Sequence, residues 1–274
     1  MRKRESVKLG DKGLKTINAE AYQRGLAAIK KFKRLAEEYK VDKLVAIGTA
    51  ALRNASNAKE FMDTVKKQTG ISVEIISGIE EAQLIHLGIS SIIPIREENE
   101  LIMDIGGGSI EFIICNDKNI FWARSLPIGL SVLVNKIPFS EPVKTEELKE
   151  FNRFLDVELQ ELQAQLKKYP TKNIIGSSGT FEVIEHNISP GKNNDQYTVM
   201  QSEDFFTWYD KIIPTTYEQR LEMKEIPNDR ADLVVYAFTL VKYVLEKAGI
   251  QKITTSPYAL KEGALIDLVK KEES

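Results

Sequence analysis

Leu101-Ile102-Met103-Asp104-Ile105-Gly106-Gly107-Gly108-Ser109-Ile110-Glu111-Phe112-Ile113-Ile114-Cys115 decides how the rest of the chain is read. An apolar run reaches Asp104, three glycines and a serine follow, and apolar residues resume at Ile110, Phe112 and Ile114, alternating in part with Glu111 and Cys115. A period of two on either side of a glycine turn predicts strand, tight turn, strand. Two better-known glycine loops do not fit. A Walker loop needs a lysine ahead of its hydroxyl residue, and Gly108 runs straight into Ser109. A dinucleotide fingerprint counted from Gly106 and Gly108 places its third glycine at Glu111.

What remains is a hairpin whose glycines let a polyanion come close to the backbone, with successive N–H groups forming an anion-binding concavity. Asp104 and Glu111 flank it. Carboxylates beside a phosphate cradle make sense if a hard divalent cation such as Mg²⁺ sits between them and the substrate phosphate. The same residues also make a plain β-turn with an exposed Glu111, and the segment by itself leaves both readings open.

Working outward, the 274 residues suffice for two domains, each with its own core. Basic and acidic residues nearly cancel, for a net charge of −2, so there is no cationic excess for a sequence-independent grip on nucleic acid. The single cysteine, Cys115, excludes an internal disulfide, suits a reducing compartment and is expected to be packed in the hairpin. No apolar run approaches the roughly 18 residues of a membrane span, and charge rather than a signal core follows Met1. The expected location is the cytoplasm, with neither membrane nor nucleic acid as partner.

Upstream of the hairpin, Arg2, Lys3, Arg4 and Glu5 read as a solvated charged lead. Asn18 is placed to cap an amphipathic helix carrying Tyr22, Leu26, Ile29, Phe32, Ala36 and Tyr39. Leu44 to Ile47 reads as a buried strand, about Ser56 to Gln68 as a helix stopped by Gly70, Ile71 to Ile76 as a strand, and Ile79 to about Ser91 as a helix. Strands alternating with helices predict parallel pairing. Arg53 and Glu81 each fall just past the C-terminal end of a predicted strand, where open α/β sheets place ligands. As a helix-start acid beside Glu80, Glu81 also has an ordinary explanation in the helix dipole.

The polar linker Pro94 to Glu100 marks a domain boundary. Beyond the hairpin, Ile120 to Ser125 adds a third antiparallel strand, and a long helix is expected from about Thr145 to Lys168, with a core stripe through Leu148, Phe151, Leu155, Leu159, Leu162 and Leu166. Asn173 to Ile175 reads as a strand entering a second glycine turn, Gly176-Ser177-Ser178-Gly179-Thr180, before a helix from about Phe181. Such a turn offers amides and a helix N-terminus to a phosphate, although taken alone the stretch is better explained by tight strand-to-helix packing. From Ser202 the chain reads as helical with breaks at Pro214 and Pro227, a long apolar helix over about Arg230 to Lys247 stopped by Gly249, a strand Lys252 to Thr255 and a final helix after Pro257.

The blocks Ile47-Gly48-Thr49-Ala50-Ala51-Leu52-Arg53, Ile76-Ser77-Gly78-Ile79-Glu80-Glu81-Ala82, Asp104-Ile105-Gly106-Gly107-Gly108-Ser109 and Gly176-Ser177-Ser178-Gly179-Thr180 follow one another in an order that resembles the exopolyphosphatase and guanosine pentaphosphate phosphatase (Ppx/GppA) family. Asp229-Arg230-Ala231-Asp232 and Leu260-Lys261-Glu262-Gly263 continue the pattern, so the likeness covers most of the chain. It implies an α/β, actin-like fold of two domains enclosing a cleft. The first would span 1–97, with the helix at about 258–274 packing back on it, and the second 98–257.

The resemblance further implies Mg²⁺-assisted removal of the terminal phosphate from inorganic polyphosphate or guanosine pentaphosphate, and a possible homodimer. Residue by residue, it makes Glu81 the general base, Asp104 and Glu111 the carboxylates around metal and attacking water, and Arg53 a phosphate-contacting arginine. Gly106, Gly107, Gly108 and Ser109 match the second phosphate loop, and Gly176, Ser177, Ser178, Gly179 and Thr180 the nucleotide-side glycine motif.

The family's first phosphate loop, Asp-x-Gly-Ser-Asn-Ser, has no counterpart here. Leu9-Gly10-Asp11-Lys12-Gly13 resembles the segment downstream of that loop, so the first domain is expected to be N-terminally incomplete, with an unpaired edge near Leu44 to Ile47 and a tendency to self-associate. Gln83 stands where the family often has arginine and Ile110 where it often has threonine, changes expected near the phosphate path. Beside a hydrolase, the sequence admits a catalytically silent phosphate- or nucleotide-binding relative. A kinase of the same superfold would need an acceptor site, and the Glu81 block argues against it.

Overall fold

The computed structural model describes residues 3–188 and 196–273; Arg2, counted above with the charged lead, lies outside them. The first part of the chain forms α1 (Ala19–Glu38), β1 (Ala46–Gly48), α2 (Ala50–Asn54), α3 (Ala58–Thr69), β2 (Val73–Ile75) and α4 (Gly78–Ser90). Next come β3 (Glu100–Ile105), β4 (Ile110–Cys115), β5 (Ile120–Leu126), α5 (Leu130–Lys136), α6 (Thr145–Glu158), α7 (Gln160–Lys168), β6 (Asn173–Ser177) and α8 (Ser178–Ile188). The remainder holds β7 (Thr198–Gln201), α9 (Ser202–Ile212), α10 (Tyr217–Glu222), a 3₁₀ turn at Asn228–Arg230, α11 (Val234–Ala248), β8 (Lys252–Ser256) and α12 (Leu260–Glu273).

The decisive hairpin forms as read: β3 and β4 pair antiparallel, with Asp104 directly opposite Glu111, and β5 extends the meander with Ser125 opposite Glu111. On the other side of β3 the direction changes. Here β6 pairs parallel to it, β8 parallel to β6, and β7 antiparallel to β8, giving the order β5-β4-β3-β6-β8-β7. The smaller sheet is the parallel pair β1-β2. An antiparallel hairpin extended by parallel crossover strands, set beside a second α/β unit, is the actin-like arrangement that the resemblance implies.

Each unit has its own core. In the smaller one Ala21, Leu26, Leu52, Phe61 and Val65 pack between α1 and α3, and Tyr22 meets Phe61 edge-on at 5.0 Å. Asn18 caps α1 by accepting from the Ala21 N–H at 3.0 Å. In the larger unit Phe112, Phe151, Phe181, Phe205 and Phe238 are all but fully buried, each worth about 1.5–3 kcal/mol of burial.

Several expectations shift. Leu44 and Val45 stay out of β1 and are 41% and 47% exposed, because β2 begins at Val73, the partner of Ala46, and no strand among the described residues pairs with the residues before it. The helix of 145–168 breaks at Leu159, although its stripe stays buried from Phe151 to Leu166. Strand β6 runs on to Ser177 and the helix starts at Ser178, so 176–180 is a direct strand-to-helix junction and not a turn. The sequence reading did not anticipate α2, α5 or β7.

The linker at 94–100 is also not where packing thins out. Ala82, Ile85 and Ile89 of α4 pack on Ile102, Ile113, Cys115 and Ile175, so α4 lies against the larger sheet. Alongside it runs α12, at backbone contact: a Cβ on Gly88 would lie 2.2 Å from the Ala259 carbonyl oxygen, and one on Gly263 would lie 1.8 Å from that of Leu84. No helix among the described residues is long and apolar enough to cross a membrane.

Gly263→Ala should therefore force α4 and α12 apart. We expect a loss of about 1–3 kcal/mol in denaturant unfolding with an unchanged m-value, the usual range for overpacking. Wild-type stability would show that the two helices separate without cost.

Candidate active site

The helix bearing Glu81 begins with a capping box. Ser77 N–H donates to Glu80 Oε2 at 2.7 Å and Glu80 N–H to Ser77 Oγ at 3.1 Å. Glu80 thus does the work of a helix-start acid and stays exposed, whereas Glu81 turns inward and is 4% exposed. Its Oε2 accepts from Arg53 Nη1 at 3.0 Å; the same nitrogen donates to the Ile76 carbonyl at 2.9 Å. Arg53 comes from the last turn of α2, a helix that brings it back over the end of β2.

From the larger sheet, Asp104 and Glu111 reach the same place. Their facing positions on β3 and β4 put both carboxyls on one side of the sheet. They are 6% and 2% exposed, which removes the plain-turn alternative for Glu111. Ser178 donates its hydroxyl to Asp104 Oδ1, and Ser125 donates to Glu111 Oε1 at 2.6 Å. Ser178 has φ of 70°, a left-handed conformation rare in a side chain other than glycine, at the point where β6 becomes α8.

Glycines 106–108 hang between these acids. The Gly106 N–H bonds the Ser109 carbonyl at 2.9 Å, and the carbonyls of Gly106, Gly107 and Gly108 accept from the N–H groups of Leu130, Ser131 and Gly129 at the start of α5. With its carbonyls anchored there, the turn keeps the amides of Gly107 and Gly108 without an acceptor among the described residues. Gly129 permits this contact, since a Cβ on it would sit 2.5 Å from Ser109 N.

A cleft of about 650 Å³ joins Glu81, Asp104, Glu111, Gly106, Gly107, Gly108, Ser109 and Ser178. Arg53 stands behind Glu81 and is not on the cleft wall, and Gly176, Ser177, Gly179 and Thr180 are not on it either. Gly176 lies under the Phe181 ring, where a Cβ would be 2.0 Å from Cδ1, and Gly179 under the Arg230 guanidinium, at 2.2 Å. Tight packing explains both glycines. Of the two expected substitutions near the phosphate path, Ile110 is in the core and Gln83 on the surface.

The charged lead is not simply solvated. Residues 3–10 line the cleft, Arg4 pairs with Glu182 and Lys8 with Asp232, both at 3.0 Å, so the segment spans the opening between units. Charge runs alone could not show this. The hydroxyl of Ser125 was also missed, although the hairpin register places it opposite Glu111.

Burial raises all three carboxyls. Desolvation pushes Asp104 to about 6, against the Ser178 hydrogen bond. Desolvation and the Glu81 and Asp104 charges push Glu111 to about 8, against its bonds from Ser109 and Ser125. Glu81 is raised by desolvation and Asp104, and held back by Arg53. Neither Asp104 nor Glu111 has a cationic side chain at ion-pair distance among the described residues. Two facing oxygen-only donors with no direct ion pair, Asp104 feeling only the more distant charge of Arg4, fit a hard divalent cation that takes its other ligands from phosphate and water.

A family model described as the Ppx/GppA phosphatase family matches residues 1–272. The chain belongs to this family. Among solved Ppx/GppA structures, an exopolyphosphatase from Cytophaga hutchinsonii is 33% identical with a TM-score of 0.93, the match covering 97% of this chain and 88% of that one. The Aquifex aeolicus family member is 26% identical with a TM-score of 0.79, covering 98% and 88%. A Haemophilus influenzae protein provisionally named exopolyphosphatase is 26% identical over 98% of this chain and 83% of its own length. A guanosine-5'-triphosphate,3'-diphosphate pyrophosphatase from Aeromonas hydrophila is 23% identical over 92% of the chain, which spans half of that relative's length. Membership places the chain among hydrolases of phosphoanhydride bonds.

The raised pKa values fix how stability depends on pH. In the folded protein Asp104 and Glu111 hold protons that the unfolded chain releases near the ordinary carboxylate pKa, so stability is highest below that range and falls as pH rises toward about 8. Denaturant midpoints of the metal-free protein should be lower at pH 8 than at pH 5. Asp104→Asn should shrink the fall by on the order of 3 kcal/mol at most; an unchanged fall would mean Asp104 is solvated.

Proposed function

We propose that this Ppx/GppA chain releases the terminal phosphate of inorganic polyphosphate, of guanosine pentaphosphate, or of both, with Mg²⁺ as cofactor, in the cytoplasm. The observation that carries the proposal is the convergence on one cleft of Glu81 from α4, Asp104 and Glu111 from the hairpin, and the glycine turn between them. Polyphosphate follows from the names of the exopolyphosphatase relatives, and the guanosine nucleotide from the Aeromonas protein.

In this reading the amides of Gly107 and Gly108 hold the terminal phosphoryl oxygens. Glu81, its pKa raised by burial, takes the proton of the attacking water while Arg53 keeps it oriented. Asp104 and Glu111 would hold Mg²⁺, which when bound neutralises phosphoryl oxygens and acidifies water. Lys8 and Arg4, released from Asp232 and Glu182, would meet the following phosphates of the chain. The lobes 1–97 and 98–257 close on the substrate about α4, with α12 as its brace. Self-association through the open edge of β1, where Leu44 and Val45 are exposed, gives the homodimer.

Glu81→Gln should remove phosphate release from polyphosphate by at least about a hundredfold while leaving circular dichroism and Tm unchanged. A chelator should do the same to the wild type, reversibly on adding Mg²⁺. Near-normal turnover in the variant would reject Glu81 as the base, and binding without turnover in the wild type would make the chain a phosphate-binding relative. For the dimer, Val45→Lys should shift sedimentation toward monomer at fixed concentration.

A further inference from the structure

We propose that Ser125 is a positioning residue for the phosphate-release site, joining Arg53 to Glu111 so that the two units keep their reactive groups in register. The inference rests on the proposed function for its meaning, but its geometry is independent of substrate. Ser125 lies on β5 opposite Glu111, half-buried and off the cleft wall. Its Oγ donates to Glu111 Oε1 at 2.6 Å and accepts from Arg53 Nη2 at 3.2 Å.

The direction of the Arg53 bond is fixed by chemistry. A guanidinium only donates and a hydroxyl has one proton, so the Arg53 contact uses an oxygen lone pair and leaves the proton for Glu111. Arg53 meanwhile spends Nη1 on Glu81 and the Ile76 carbonyl. The result is one chain of contacts, Glu81–Arg53–Ser125–Glu111, running through α4, α2, β5 and β4. It crosses from the smaller unit to the larger sheet. Ser125 also keeps the guanidinium one atom away from Glu111, so Arg53 compensates Glu81 and Glu111 stays open toward Asp104.

Gly78 supplies a separate observation. It is the first residue of α4, and a Cβ on it would lie 2.6 Å from the Ser125 Cβ. The helix that carries Glu81 therefore starts directly against the strand that carries Ser125. Any side chain at 78 would displace one from the other.

Four proteins test this: wild type, Ser125→Ala, Arg53→Gln and the double variant, assayed for phosphate release from polyphosphate with Mg²⁺. Removing a hydrogen bond to a charged group should lower kcat of Ser125→Ala about tenfold with KM within about twofold and Tm unchanged. The double variant should be no slower than Arg53→Gln, because the serine acts through the arginine. A kcat within about twofold of wild type, or losses that multiply in the double variant, would overturn the proposal.

A readout that needs no turnover separates this from failure of the function itself. In ¹⁵N NMR of the metal-free protein, the Arg53 guanidinium should show slow, restrained rotation in the wild type and faster rotation in Ser125→Ala. Equal rotation in both also overturns it. A wild type that hydrolyses neither polyphosphate nor guanosine pentaphosphate counts against the function alone, and the guanidinium signal then decides the role of Ser125. Gly78→Ala, which keeps the hydroxyl but crowds it, should reproduce the faster rotation, and wild-type rotation there would count against the geometry.

Discussion

Three buried carboxyl groups, only one of them bonded to a guanidinium, are the constraint on which the rest of this structure turns. Glu81, Asp104 and Glu111 are each no more than 6% exposed, and Arg53 is the one cation among the described residues that bonds any of them. Burying an uncompensated carboxylate is costly, so it persists only where the scaffold holds the groups in place by other means. Here those means are the large aromatic and aliphatic core behind the sheet, hydroxyls from Ser125 and Ser178, and a helix start whose capping needs are already met by Glu80. The electrostatic strain is local to a cleft that a cation and a phosphate chain would relieve.

Glycine sets the distances at which the pieces meet. Gly108 sits against Ala50 of α2, Gly129 lies on the main chain of the glycine turn, and Gly88 and Gly263 let α4 and α12 touch at the backbone. These contacts bring Glu81 to the carboxyls of Asp104 and Glu111 without a bulky interface. Across the opening, the segment 3–10 is held by ion pairs half exposed to solvent, which are individually weak and readily exchanged for other anions. A rigid back and a loosely fastened front describe the cleft well.

Much of this was legible in the chain. The hairpin could be read from alternation around Gly106–Gly108, and once its turn was placed, the pairing of Asp104 with Glu111 followed from register alone. By pattern alone Glu81 could not be told from Glu80, because both fit a helix start; the family resemblance picked Glu81, and the capping box, with Glu80 as its acid, separates the two in the structure. The 176–180 junction reads two ways for a physical reason. Small residues are as necessary for seating Phe181 and Arg230 as for seating a phosphate, and sequence does not show which neighbour fills the space. Arg4 and Lys8 were hidden because their partners, Glu182 and Asp232, lie more than 170 residues away, a separation no local pattern reports.

The turn at Gly106–Gly108 presents main chain, not side chains, to whatever enters the cleft, with its carbonyls already engaged by the start of α5. Such a cradle has no functional group that a point substitution could exchange for another, and any Cβ on Gly106 or Gly108 would press on Ser109 or Leu14. Under the proposed function, recognition of the first phosphoryl group would be fixed by architecture. On the same reading, divergence toward one polyanion or another would be left to the rim, where Lys3, Arg4 and Lys8 can change while the floor stays the same.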